Sequence, residues 1–200
     1  MTGREKLPYL LNREDLIGAE IGVEEGFFSE YLLKTGLFRT LYSIDPWPNR
    51  FPGVFINGED LVTSNNEETY TTAREKLEKY EASEIIRKSS EEASKAFEDE
   101  SLDFVFLDGD HTYEGVKLDL QCWYDKVKKG GIFSGHDYMD YVMNCGGGIT
   151  SHFGVRRAVD EFFSEKGIQV FTVEEMERER LQWIENYESF PTWYSWYIIK

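Results

Sequence analysis

Short apolar runs that end on glycine or aspartate alternate along this chain with helix-spaced stretches, and this rhythm restricts the available folds more than any other feature. Asp15–Val23 is apolar and closes on a glycine-rich turn, and Gly26–Thr35 has helical spacing through Phe27, Tyr31 and Leu32. Thr40–Ile44 predicts a strand closed by Asp45-Pro46. Asn66–Tyr80 predicts a polar helix capped by Asn65 or Asn66, and Ser83–Ser89 a brief strand before a helix capped by Ser90. Leu102–Leu107 predicts a strand ending at Asp108, and Thr112–Val127 a helix that aligns Val116, Leu120, Trp123, Tyr124 and Val127. Gly130-Gly131 is expected to stop that helix ahead of a strand at Ile132–Ser134. Val155–Lys166 predicts a helix ended by Gly167, and Ile168–Val173 and Trp193–Ile199 predict two last strands. Strands alternating with helices of roughly 10–15 residues predict an α/β fold with a mostly parallel sheet flanked by helices. At 200 residues a single domain, 1–200, is expected.

In such sheets ligands bind beyond the carboxyl ends of the strands, so the residues after each strand carry the functional reading. Gly18-Ala19-Glu20-Ile21-Gly22-Val23-Glu24-Glu25-Gly26 is neither the dinucleotide fingerprint, because Glu20 stands where its first glycine belongs, nor a P-loop, because no Gly-Lys-Ser/Thr follows. That argues against a nicotinamide-dependent oxidoreductase. Two glutamates after Gly22 would repel a pyrophosphate, so the loop suits a ligand bearing an amine or another positive charge, or is an ordinary turn. Asp45 can accept bonds from ribose hydroxyls, or make an Asx-type turn before Pro46. Ser89-Ser90-Glu91 reads as a plain helix cap. The fourth strand leads into Asp108-Gly109-Asp110-His111 and the fifth into Gly135-His136-Asp137-Tyr138, which together hold two of the chain's three histidines. Facing each other across one crevice, they offer a general base and ligands for a divalent cation. The plainer alternative is that the aspartates cap turns and the histidines pack beside them.

Composition narrows the partners. The chain has 38 acidic and 22 basic residues, a formal net charge of −16, and no basic run beyond pairs such as Lys128-Lys129 and Arg156-Arg157. Nucleic-acid backbones and anionic membranes need clustered cations, so neither is an expected partner. No apolar stretch approaches the roughly 20 residues of a spanning helix, and Met1–Asn12 lacks the apolar core of a signal peptide. The two cysteines, Cys122 and Cys145, form neither a zinc framework nor a disulfide scaffold, which fits a cytoplasmic setting.

Taken together, Glu20-Ile21-Gly22-Val23-x-x-Gly26, Ile44-Asp45-Pro46-Trp47, Ser90-x-Glu92-Ala93, Leu102 to Glu114, Gly130-Gly131-Ile132-x-x-Gly135-His136-Asp137-Tyr138 and Gly154-Val155-x-x-Ala158-Val159 resemble the class I S-adenosylmethionine-dependent methyltransferases. The nearest branch is the small-molecule O-methyltransferase-like group related to macrolide and aminocoumarin sugar methyltransferases and cephalosporin-hydroxylase-like proteins. The resemblance covers roughly residues 16–170. It implies a Rossmann-like, seven-stranded, mostly parallel sheet with a reversed C-terminal hairpin. It implies S-adenosylmethionine bound by Glu20, Gly22, Val23, Asp45, Ser89, Ser90 and Asp108. It further implies a His111 base beside Asp108, and a divalent ion, Mg2+ or Mn2+, on Asp108, His136 and Asp137. His136 departs from the pattern by replacing an acid, which favours a softer metal than magnesium, or none. The implied function is O-methylation of a small hydroxylated molecule; the alternative is a cofactor-binding relative that acts as a partner or regulatory subunit without transferring methyl. Little chain precedes the first strand, so an N-terminal lid is small or absent. The insert Trp47–Asn65 and the loop Met139–Phe153, with Gly146-Gly147-Gly148 and His152, are then expected to wall the substrate pocket as mobile loops. Monomer and homodimer both remain open; the aromatic C-terminus reads more naturally as a half-buried core strand than as a dimer edge.

Overall fold

The computed structural model describes residues 3–62, 66–174 and 194–200. Among them, strands β1 (Leu16–Ile21), β2 (Phe38–Ile44), β5 (Ser83–Ile86), β6 (Leu102–Leu107), β7 (Val127–Gly135), β10 (Phe171–Glu174) and β11 (Tyr194–Ile199) build one sheet in the order β10-β11-β7-β6-β1-β2-β5. The pairs among β1, β2, β5, β6 and β7 are all parallel, and β11 runs antiparallel to both β7 and β10. This is the expected mostly parallel α/β sheet with a reversed strand at its C-terminal edge. Trp193 and the Glu174–Glu188 link between the last two strands lie outside the described residues, Glu174 itself excepted.

Side-chain alternation divides the core between the two faces of this sheet. Val105 and Phe133 point with α3 (Ser90–Ser94), α4 (Tyr113–Trp123) and α5 (Val155–Glu165) into one cluster with Trp123, Phe163 and Trp196. Phe104, Phe106 and Leu41 point into the other, where α1 (Phe27–Lys34), α2 (Asn66–Leu77) and a 3-10 helix at Gly3–Leu11 contribute Phe28, Leu32, Leu77 and Leu7. A short N-terminal segment is therefore present and packed, with Leu7 fully buried.

Several local expectations are corrected. The helix after β6 ends at Trp123 in a 3-10 turn, Tyr124–Lys126, and Gly130-Gly131 lie inside β7 rather than ahead of it. They accommodate an irregular rung: Gly130 N–H donates to Lys200 O, and a Cβ on Gly131 would meet Asp103 O at 2.9 Å. The predicted strand at Ile168–Val173 starts only at Phe171. Ser89, not Ser90, caps α3, its hydroxyl accepting from Glu92 N–H while also donating to the Glu92 carboxylate.

The two expected mobile loops are the largest departure. The insert forms β3 (Arg50–Ile56) and β4 (Glu59–Val62), and the segment after β7 forms β8 (Asp140–Gly146) and β9 (Ile149–Gly154). These four make a second, antiparallel sheet in the order β4-β3-β9-β8. Its central pairing joins Val54, Phe55 and Ile56 to Ser151, Thr150 and Ile149, segments about a hundred residues apart.

The sheet brings β1 and β6 so close that Gly22, at φ +89, leaves no room for a side chain: a Cβ would stand 2.2 Å from Asp108 O. Left-handed strain and a backbone clash each cost roughly 1–3 kcal/mol. Gly22→Ala is therefore expected to destabilise the fold by about 2–4 kcal/mol in urea unfolding. A change below about 0.5 kcal/mol would contradict this geometry.

Candidate functional site

The parallel register ends its strands on one level: Ile21 is paired with both Ile44 and Leu107, and Leu107 with Gly135. The next residue of each strand continues the ladder. Gly22 N–H donates to Ile44 O (2.9 Å), Asp45 N–H to Ile86 O (3.2 Å), Asp108 N–H to Ile21 O (2.7 Å) and His136 N–H to Leu107 O (2.9 Å). Four of the sequence-predicted site residues are thus held by main-chain bonds at one edge of the sheet.

The two strand-end clusters meet there. His111 Nε2 lies 3.2 Å from Asp108 Oδ1 and 3.4 Å from Asp137 Oδ2. His136 Nδ1 lies 3.3 Å from Asp108 Oδ1 and 3.2 Å from Asp137 Oδ1. One ligand atom from each of the four residues falls within 4.8 Å of the others. His111 was expected as a base apart from the metal ligands, and the fold places it in the same group. Burial opposes charge on Asp108, His111 and His136, and their neighbours override it. The Asp108 carboxylate, with Asp137, pushes His136 up to about 10. Hydrogen bonding to Asp108 and the Asp137 charge raise His111, and the two imidazoles hold Asp108 well below the usual carboxylate range. Asp137 sits at φ 45, a left-handed conformation uncommon for a non-glycine residue.

Arg4 is the site residue that sequence reasoning missed. Its Nη1 donates to Asp108 Oδ2 at 2.9 Å, and its guanidinium lies 4.7 Å from the Phe28 ring centroid. Nothing in the local pattern of the first twelve residues marks it out.

The glycine-rich turn is shaped by Asp45. Its Oδ2 accepts from Val23 N–H (2.8 Å) and Glu24 N–H (3.0 Å), and its Oδ1 from Trp47 N–H (2.6 Å). The bond to Trp47 is the Asx-type turn read from the sequence, and with the two N–H groups of the glycine-rich turn it takes three of the carboxylate's roughly four lone-pair sites. Glu20 lies beneath the turn rather than on its surface. Its carboxyl accepts from Ser29 Oγ, which is 2.6 Å from Ser43 Oγ, so it ties α1 to β1 and β2. Burial pushes its pKa up to about 8, the Ser29 bond and Arg4 opposing and the Asp108 and Asp45 charges reinforcing the rise. Ser90 Oγ donates to Asp119 and accepts from Trp123 Nε1 at 2.8 Å. It faces the buried Asp119, whose carboxyl burial lifts to about 7.

The second sheet stands beside this crevice. Phe153 of β9 packs its ring 5.5 Å from His111, and Gly154 N–H donates to His111 O at 2.8 Å. Gly53 of β3 abuts Thr112, where a Cβ would come within 2.6 Å of the methyl group. The two segments expected as mobile loops therefore stand beside the cluster as strands.

A family model described as a methyltransferase domain matches residues 19–138. An uncharacterized protein of Acanthamoeba polyphaga mimivirus is 29% identical over 140 residues, which is 68% of this chain and 58% of that protein. The chain thus spans little more than half the length of that curated relative. Among solved structures, an rRNA methylase from Streptococcus thermophilus aligns with TM-score 0.64 at 10% identity, covering 98% of this chain and 93% of that one. An O-methyltransferase from Bacillus cereus, solved in complex with SAH, aligns with TM-score 0.60 at 14% identity, covering 98% and 80%. At such identities these structures share the fold. Among the described residues no helix is long and apolar enough to cross a membrane.

Glu20 gives the site a testable pH signature. Its folded pKa, about 8, is above the ordinary 4.5, so its contribution to stability is complete below pH 4.5 and is lost as pH rises through 8. Glu20→Gln keeps a neutral hydrogen-bonding side chain and removes this proton linkage. The variant's thermal midpoint, measured against wild type, is expected to rise progressively between those two pH values. A difference independent of pH would show that Glu20 is ionised in the folded protein.

Proposed function

Because the chain belongs to the methyltransferase-domain family, within the class I S-adenosylmethionine-dependent group, we propose that it moves a methyl group from S-adenosylmethionine to an oxygen of a small hydroxylated molecule. The observation that carries the oxygen acceptor and the base is the Asp108–His111–His136–Asp137 cluster at the ends of β6 and β7. A module that only bound the cofactor would have no use for two histidines and two carboxylates at that place.

Gly22 and Val23, with Asp45 behind them, would hold the cofactor's amino-acid and ribose portions, and the Ser89–Ser90 end of β5 its base. The cofactor supplies an electrophilic methyl on a sulfonium. The chain's own task is to align the acceptor oxygen with that methyl, to hold it there, and to take its proton; positioning accounts for much of the rate in such displacements. His111 is the residue to receive the proton. It is the most exposed of the four cluster residues, its side chain 29% accessible, and its ring is flanked by Phe153 on the pocket wall. Asp108 and Asp137 orient that ring and favour its protonated form.

The donor set also fits a divalent cation. Two carboxylates and two imidazoles gathered within 4.8 Å match the spread of ligands around one ion. Asp108, His136 and Asp137 would hold it, and it would lower the pKa of the acceptor hydroxyl. Imidazole nitrogen suits manganese, iron or zinc better than magnesium, which demands oxygen.

Calorimetric titration with S-adenosylhomocysteine is expected to show binding at sub-millimolar ligand; absence of heat there discards the reading. With labelled cofactor and a panel of hydroxylated acceptors, His111→Ala is expected to lose about 10²–10⁴-fold in methyl transfer while keeping cofactor affinity. Full activity in that variant would remove His111 from the mechanism.

A separate measurement addresses the metal. Manganese is expected to bind at least tenfold more tightly than magnesium in direct titrations of chelator-treated protein. His136→Asp should narrow or invert that preference. Equal, millimolar affinities for both ions in both proteins would mean that the cluster is not a metal site.

A further inference from the structure

We propose that Arg4 recognises the carboxylate of the cofactor's amino-acid tail, an inference that rests on reading the crevice as the S-adenosylmethionine site.

The argument starts from charge. The glycine-rich turn and its neighbours gather Glu24, Asp45 and Asp108, and Glu24 feels the charges of both aspartates. A nucleoside with a methionine tail carries a sulfonium and an ammonium, which such a wall attracts, and also a carboxylate, which it repels. Unless a cation sits at the same end, the repulsion offsets the attraction. Lys76, one cation near the turn, donates to Glu25 O at 2.8 Å and lies 3.2 Å from the centroid of the Phe27 ring. Arg4 is the cation directed at the strand ends.

Its placement is built rather than incidental. The 3-10 helix Gly3–Leu11 is anchored by Leu7, fully buried in the cluster with Phe28 and Phe106. The Arg4 guanidinium spreads over those same rings, 4.7 Å from the Phe28 centroid and 5.8 Å from that of Phe106. Phe28 belongs to α1, the helix that opens directly from the glycine-rich turn. Asp108 fixes the guanidinium from the sheet side. Stacked and paired in this way, the planar fork is oriented in advance, and a guanidinium can serve two carboxylates along different edges. The Arg4 side chain remains 28% accessible at the crevice.

The test compares S-adenosylhomocysteine with 5′-deoxy-5′-methylthioadenosine, which shares the nucleoside and the sulfur but lacks the amino-acid tail. Arg4→Met is expected to weaken S-adenosylhomocysteine binding at least tenfold and to leave methylthioadenosine within twofold of wild type. Arg4→Lys, a point charge without the fork, should fall between. Retained methylthioadenosine binding shows that the nucleoside site is folded. If Arg4→Met binds S-adenosylhomocysteine as wild type does, or if both ligands weaken equally in Arg4→Lys, the assignment of Arg4 is overturned while the cofactor reading stands. If wild-type protein binds neither ligand, the cofactor reading itself fails.

Discussion

Everything at the site depends on four main-chain hydrogen bonds that carry the parallel register one residue past the strands. Gly22, Asp45, Asp108 and His136 each donate to the neighbouring strand, so their side chains start from one level with no freedom to slide. Side chains alternate along a strand, and a slip of one residue would turn Asp108 and His136 to opposite faces of the sheet. The absence of a side chain at Gly22 is part of the same constraint, since any Cβ there would push β1 and β6 apart at the rung that bears Asp108.

Asp108 divides the crevice into two halves. Its Oδ1 serves the imidazoles of His111 and His136, and its Oδ2 serves the guanidinium of Arg4. On our reading the first half serves proton handling and the metal. The second faces the glycine-rich turn. One half-buried carboxylate therefore couples the two, and the −16 net charge of the chain acquires a local meaning. Most acids are solvated surface. At this edge they are matched by imidazoles and a guanidinium, and Glu20 escapes the crowding by burial with its proton retained.

Much of this was legible in the sequence because strand-end residues follow apolar runs that any reader can find. Asp45, Asp108, His111, His136 and Asp137 were named from that pattern, and the fold brings the last four together. Features set by distant pairing were not legible. β3 and β9 hold each other in register across about a hundred residues, and neither has the apolar alternation that would mark it as a strand alone. The Gly146-Gly147-Gly148 stretch resembled a flexible connector because glycines at positive φ serve a tight hairpin turn equally well. Gly130-Gly131 was misread for a related reason: glycine punctuates helices, but here it fits a bulged rung against β6 and the chain end. Arg4 was invisible because its meaning comes from Asp108, more than a hundred residues away.

The protonation of the cluster follows from the same geometry. His111 and His136 share the carboxylates of Asp108 and Asp137, so the protons of the two rings are governed by the same pair of acids. Against the pull of burial the carboxylates raise both imidazoles, His136 to about 10. Arg4 adds a positive charge that Asp108 shares. A cation seated on these ligand atoms would have to displace protons, because a metal-bound imidazole must be neutral at the ligating nitrogen. Occupation by a metal would therefore exchange charge at the crevice rather than simply add it, which is why an ion and the His136 proton would be alternative tenants of one set of side chains.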